Sequence, residues 1–237
     1  MAIKTIGVIG AGTMGNGIAQ VCAVAGLDVV MVDISAEAVQ RGLGVVAGSL
    51  DRLLKKEKIS QADRDAAVAR IRGSTAYADL AGADLVIEAA TENESLKLRI
   101  LKEIDAIVAP TAVIASNTSS LSITKLAAAV SHPDRFVGMH FFNPVPLMAL
   151  VELIRGLQTS DATLAAAQGF AVTIGKTAIV ARNSPGFAVN RILCPMINEA
   201  IFALQEGLAS AADIDEGMKL GCNHPIGPLA LTDLIGL

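Results

Sequence analysis

The chain has 237 residues, of which 52% are hydrophobic, 18% charged and 3% aromatic, with no Trp and one Tyr. This composition excludes intrinsic disorder, and the shortage of aromatics argues against reading single-stranded nucleic acid by base stacking. Lys and Arg number 19 and Asp and Glu 23, a net charge of −4, so no broad basic surface serves duplex nucleic acid or an anionic membrane.

The first strand is expected at Lys4–Ile9, a β-branched run of the kind buried on both faces of a parallel sheet. A glycine-rich turn and a helix over Met14–Ala25 follow, with Gly26 placed to end it. Asp28–Val32 is a second buried strand that stops at Asp33. The whole stretch Ile6–Val32 is apolar enough to mimic a membrane span. However, Gly10, Gly12, Gly15, Asn16, Gln20, Gly26 and Asp28 interrupt it at turn positions, so it reads as folded core with no leader pattern. Ser35 caps a long helix that runs into Arg52, Lys55, Lys56 and Lys58, and Ser60 caps the next, giving a helical hairpin inserted into the sheet order.

Strands at Asp84–Glu88 and Ala112–Ser116 flank a helix over Ser95–Val108, and Arg135–His140 and Leu150–Ile154 are later strands. Alternation of this kind predicts an α/β fold, a Rossmann-type, mostly parallel sheet, over residues 1–183. Asn183–Gly186 is a linker signal. Helices over Phe187–Glu206 and Ser210–Leu220 then begin a smaller all-helical domain, residues 184–237. Cys22, Cys194 and Cys222 are widely spaced and form no C-x-x-C pair, so each reads as a small buried hydrophobe in a reducing, cytoplasmic setting, with no zinc site.

Gly10-Ala-Gly12-Thr-Met-Gly15 is G-x-G-x-x-G, and here it lies between a strand and a helix whose first amides can hold a pyrophosphate. Gly10 allows the tight turn, Gly12 the approach of phosphate and Gly15 close helix–strand packing. Asp33 ends the second strand where an acid bonds the adenine ribose, and it repels a 2′-phosphate. NAD is favoured and NADP disfavoured.

Of three histidines, His132 and His224 precede prolines and read as loop residues. His140 ends an apolar strand, where sites of parallel sheets gather. Glu152 lies inside the apolar run Leu150–Ile154, where a carboxylate is costly unless paired. A return through Asn143–Pro146 would set it beside His140. From the spacing alone, a structural pair and an acid–base pair are equally open.

Taken together, GAGTMG, Glu88–Glu92 (EAATE), Ser116–Leu121 (SNTSSL), His140–Pro146 (HFFNPVP), LVE at Leu150–Glu152, Ser184–Arg191 (SPGFAVNR) and Met218–Leu229 (MKLGCNHPIGPL) closely resemble the L-3-hydroxyacyl-CoA dehydrogenase family, in particular its bacterial 3-hydroxybutyryl-CoA members. The resemblance spans nearly the whole chain. It implies NAD-dependent interconversion of a short L-3-hydroxyacyl-CoA and its 3-oxoacyl-CoA, with His140 as base, Glu152 as its orienting partner, and Ser119 and Asn190 on the substrate oxygen. Gly10, Gly12, Met14, Gly15 and Asp33 match the adenine side of the cofactor site, and Glu92, Lys97, Asn117 and Asn143 its nicotinamide side. Without the resemblance, Ser119 reads as a helix cap and Glu92 and Lys97 as ordinary charges at a helix start.

Ser49 and Lys56 match positions that hold CoA. Arg52 joins them by its i, i+3, i+7 spacing on one helix face, with Lys55 and Lys58 directed elsewhere. Two other readings stand beside this one: a dehydrogenase of a free hydroxy or sugar acid, like the crystallin relatives, and a non-catalytic dinucleotide-binding protein. Finally, the chain stops within the apolar segment Asp233–Leu237. The resemblance implies some tens of residues more, completing a helical domain used for dimerisation, so a fragment is expected rather than a natural protein that ends early, with exposed apolar surface and self-association.

Overall fold

The computed structural model describes residues 3–236, so Leu237, the last residue of the apolar ending, lies outside them. Two β-branched pentapeptides begin the sheet: β1 (Thr5–Ile9) and β2 (Asp28–Val32) run parallel, with Ile6 opposite Val29 and Val8 opposite Met31. Ile6, Val8, Met31 and Val32 are fully buried, as strands covered on both faces must be.

The sheet continues with β3 (Ile71–Ser74), β4 (Leu85–Glu88), β5 (Val113–Ser116), β6 (Phe136–Phe141), β7 (Leu150–Arg155) and β8 (Thr177–Arg182). The strand order is β3-β2-β1-β4-β5-β6-β7-β8, and every neighbouring pair is parallel except β6 with β7. The first six strands follow the 3-2-1-4-5-6 order of dinucleotide-binding sheets, whose ligands settle outside the carboxyl ends of the strands where the order reverses. In this chain that reversal lies between β1 and β4.

Local sequence explains the connections. Helix α1 (Thr13–Val24) leaves the glycine turn after β1 and ends before Gly26, whose φ of 86° needs a residue without a Cβ. Helices α2 (Ala36–Lys55) and α3 (Gln61–Ala69) form the expected hairpin between β2 and β3. The Ser35 side chain caps α2, accepting from the Ala38 amide, and Ser60 and Asp63 form a reciprocal capping box on α3. Helix α4 (Glu94–Asp105) joins β4 to β5, α5 (Ile123–Ala127) lies between β5 and β6, and α6 (Asp161–Thr173) between β7 and β8.

Four elements were not anticipated: β3, α6, β8 and a final helix. β3 is four residues long and contains Gly73, retained because a Cβ there would come within 2.3 Å of a Val39 methyl. α6 is rich in alanine and buries only Thr163, Ala167, Phe170 and Ala171, a weak periodic signal. β8 is an edge strand whose residues are all at least partly exposed, so its pattern lacks the apolar run of the central strands.

The chain divides into two compact units, Met1–Pro185 and Gly186–Leu237. The second contains α7 (Val189–Gln205), α8 (Ala211–Cys222) and α9 (Pro228–Ile235). Asn223, left-handed at φ 56°, ends α8, and the Asp215 carboxylate accepts from the Leu229 and Ala230 amides at 2.8 and 2.9 Å, capping α9 from its neighbour. Only Cys22 is buried, with its thiol pKa pushed above the ordinary range by loss of solvent. Cys194 and Cys222 are exposed, because they fall on outer faces of their helices rather than among the apolar neighbours that surround them in sequence. Among the described residues no helix is long and apolar enough to cross a membrane.

Candidate active site

The glycine turn is fixed by close contacts. Gly10 sits at φ 97°, and a Cβ on Gly15 would come within 1.8 Å of the Gly10 carbonyl oxygen, so neither position accepts another residue without moving backbone. At Gly12 a Cβ would meet nothing within 4 Å, and α1 begins there without a side-chain cap. Uncapped amides beside open space are what a pyrophosphate requires. Asp33 adds a tie: its Oδ2 accepts from the Ala11 amide at 2.8 Å and its Oδ1 from the Ile34 amide at 2.8 Å. A carboxylate has about four acceptor sites, so capacity remains for ribose hydroxyls. The residues present therefore fit a dinucleotide.

Beyond the turn, a cleft of ≈ 420 Å³ is lined by Gly12, Met14, Glu92, Lys97, Asn117, Ser119, His140 and Asn143, with Thr13, Ala89, Ala90, Thr91, Phe141 and Phe142 between them. His140 is the fifth residue of β6 and stands directly opposite Glu152 on antiparallel β7. Direct register partners share one face of a sheet. The two side chains meet there at 2.7 Å, His140 Nδ1 to Glu152 Oε2, with Glu152 fully buried. An ionised carboxylate can only accept, so a hydrogen bond to it is made by an Nδ1–H. Phe142 leans on the imidazole, ring centroids 4.5 Å apart, and the Asn117 side chain accepts from the Phe141 amide at 2.8 Å, tying the ends of β5 and β6 together.

Lys97 departs from the reading of an ordinary surface charge. It is 1% exposed, and its ammonium donates to Glu88 Oε2 at 2.5 Å and to Ser116 Oγ at 3.3 Å, with Glu92 Oε2 3.9 Å away. Glu88 is fully buried and also accepts from Ser116 Oγ and the Ala90 amide. The signal lay in the sequence: Lys97 shares the i, i+3, i+4, i+7 stripe of Ile100, Leu101 and Ile104, all buried in α4. Glu88 ends an apolar strand as Glu152 interrupts one. Glu92 stands on the loop before α4 and accepts from the Ser119 amide at 2.7 Å and Thr118 Oγ1 at 2.9 Å. Ser119 is accordingly held in a loop, and the serine that caps the following helix is Ser122.

A second cleft, of ≈ 380 Å³, adjoins the first, since Thr13 and Asn143 line both. It brings together Ser49, Arg52 and Lys56, the last being the residue that caps the end of α2, while Lys55 and Lys58 take no part. Its opposite wall is the loop Asn143–Leu147. Lys176, also unforeseen, braces that loop: its ammonium donates to the Val145 and Met148 carbonyls at 2.6 Å each, and burial lowers its pKa from the usual lysine value. Asn190 lies in the first turn of α7, in the second unit.

The profile described as 3-hydroxyacyl-CoA dehydrogenase, NAD binding domain, matches residues 5–184, and that of the C-terminal domain matches residues 186–237. The chain belongs to the 3-hydroxyacyl-CoA dehydrogenase family. It is 52% identical over 235 residues to the 3-hydroxybutyryl-CoA dehydrogenase of Bradyrhizobium diazoefficiens, covering 99% of this chain and 80% of that protein. Likewise it is 49% identical to the probable 3-hydroxybutyryl-CoA dehydrogenase of Bacillus subtilis, over 100% of this chain and 83% of that one. The crystal structure of (S)-3-hydroxybutyryl-CoA dehydrogenase PaaH1 from Ralstonia eutropha superposes with a TM-score of 0.97 at 69% identity, covering 99% of this chain and 83% of that chain.

Within this family member, the Glu88–Lys97 pair generates a stability prediction. Lys97→Met leaves a buried carboxylate without its cation and should cost about 3–5 kcal/mol in urea unfolding. Adding Glu88→Gln should restore more than half of that loss; simple addition of the two losses would show that the groups are not coupled.

Proposed function

We propose that the chain is an NAD-dependent oxidoreductase interconverting a short-chain L-3-hydroxyacyl-CoA, 3-hydroxybutyryl-CoA, with the corresponding 3-oxoacyl-CoA, acetoacetyl-CoA. The observation that carries this reading is the buried His140–Glu152 pair opening onto the dinucleotide cleft, beside a second cleft with a basic end. The names of the 52% and 69% identical relatives support the same substrate.

When bound, the cofactor would supply hydride exchange with C3 of the substrate. The chain supplies the remaining work. His140 takes the 3-hydroxyl proton at Nε2, and Glu152, held across the register, keeps the ring in the required tautomer and stabilises the imidazolium. The Ser119 hydroxyl, on the wall of the same cleft, donates to the substrate oxygen as its charge changes, a contribution that needs no metal. Glu92, Lys97, Asn117 and Asn143, which line the cleft, would hold the nicotinamide ribose, and the amides at Gly12 and Met14 would hold the pyrophosphate. Ser49, Arg52 and Lys56 hold the anionic end of CoA, a need a free hydroxy acid would not create.

His140→Ala should lower kcat by roughly 10²–10⁴-fold with NADH affinity nearly intact, and Glu152→Gln should lower it as well. Steady-state assay with acetoacetyl-CoA checks both, and near-wild-type rates would return the pair to a structural role. Cofactor choice is assigned to Asp33. Asp33→Ala should shift the ratio of kcat/KM for NADH over NADPH toward NADPH, and an unmodified chain that already prefers NADPH would refute the assignment.

The helical unit exposes Ile192, Leu208 and Leu220 at 71%, 78% and 77%, surface of the kind that drives association. We assign it to a homodimer. Light scattering at tens of micromolar should give a mass above that of one chain, and a clean monomer would overturn the assignment.

A further inference from the structure

Helix α1 presents Thr13, Asn16, Gly17 and Gln20 to the second cleft, one helical stripe with spacing i, i+3, i+4, i+7. Elsewhere on the helix Ile18, Ala19, Cys22 and Ala23 are fully buried or nearly so. Two primary amides on that stripe are out of place by composition. Gln20 is 3% exposed and its side chain has no hydrogen-bond partner among the described residues. Asn16, 8% exposed, has a single long bond, from Nδ2 to the Ala11 carbonyl at 3.5 Å.

Neither amide is among the fully enclosed polar groups without a partner, so the polar ends reach the cleft they line, and a glutamine brings two donors and two acceptor lone pairs to it. An apolar residue of the same length would complete the core at that position at lower cost. The cleft gives the amides an outlet. It runs from Thr13 and Asn143, shared with the dinucleotide cleft that contains His140, to Ser49, Arg52 and Lys56 at the other end. Gln20 lies along this course, facing Leu53 and Pro146, apolar walls that cannot satisfy it. Gly17 brings the loop against α1, since a Cβ there would sit 2.9 Å from Val145 Cβ, so the amides border a narrow passage.

We propose that Gln20, with Asn16 one turn before it, hydrogen-bonds an amide of the pantetheine arm of the acyl carrier and so makes the enzyme select carrier-bound over simple thioesters. The inference rests on the acyl-CoA reading above. Between the reacting thioester and the phosphates, the arm offers secondary amides, each with one donor and one acceptor. A primary amide pairs with such a group on both counts.

The test measures KM for acetoacetyl-CoA, acetoacetyl-pantetheine, which keeps the amides but lacks the phosphates of CoA, and S-ethyl acetothioacetate, which has neither. Gln20→Leu should raise KM about tenfold for the first two and leave the third within about twofold, with kcat little changed, the mark of lost uniform binding. Gln20→Met, which keeps the side-chain length, should give the same split and serves if the leucine variant does not fold. Lys56→Ala should by contrast raise KM for acetoacetyl-CoA alone. An equal rise on all three substrates, or none on acetoacetyl-pantetheine, overturns the assignment of Gln20. No turnover of acetoacetyl-CoA by the unmodified chain would overturn the acyl-CoA reading, and this inference with it.

Discussion

Glu88 and Lys97 carry opposite charges at a place where side-chain exposure falls to 0% and 1%. Neither group could be there alone, because an isolated ion in such surroundings costs several kcal/mol. Together with Ser116 they join the carboxyl ends of β4 and β5 to the first turn of α4, beside the reversal of strand order. The Ala90 amide is bound to the same carboxylate, so the turn after β4 is held by it too. Four segments that border the dinucleotide cleft thus share one buried acid, and their relative positions are fixed before any ligand arrives. Pre-organisation of this kind spares binding the cost of ordering the wall of the cleft.

A second acid in a second strand follows the same logic. Glu152 interrupts an apolar run because His140 is its direct partner across the β6–β7 register, the one antiparallel step in the sheet. A slip of one residue would send either side chain to the opposite face and leave a carboxylate among hydrocarbon. The electrostatic cost therefore guards the register, and the register aims the imidazole. In both cases a charge inside a strand marks a place where geometry is enforced.

Much of this was legible in the residues themselves. Gly10, Gly12, Gly15 and Asp33 announced the turn, Ser35 and Ser60 announced helix starts, and Glu152 announced the need for a partner. What escaped was decided by tertiary context. β3 and β8 have too few residues or too little apolar contrast to signal a strand, and they exist because β2 and β7 offer them edges. Without the family resemblance, the charge of Lys97 hides its place on the apolar stripe of α4. Lys176 was invisible, since its partners are backbone carbonyls 28 and 31 residues earlier, which carry no residue-type signature.

Asp33 binds backbone as well as standing where the ribose would lie: its carboxylate accepts the Ala11 amide within the glycine turn. In the reading proposed above, cofactor preference and loop shape therefore rest on one side chain. Re-engineering the enzyme for a phosphorylated cofactor by inserting Arg or Lys at this position would remove the repelling charge and strand the Ala11 amide in the same step. An Asn there keeps an acceptor for the turn while dropping the charge, leaving the cation to be introduced at the neighbouring Ile34, whose side chain is 89% exposed. The workable route to a changed cofactor thus passes through two positions, because the first is already committed to the backbone.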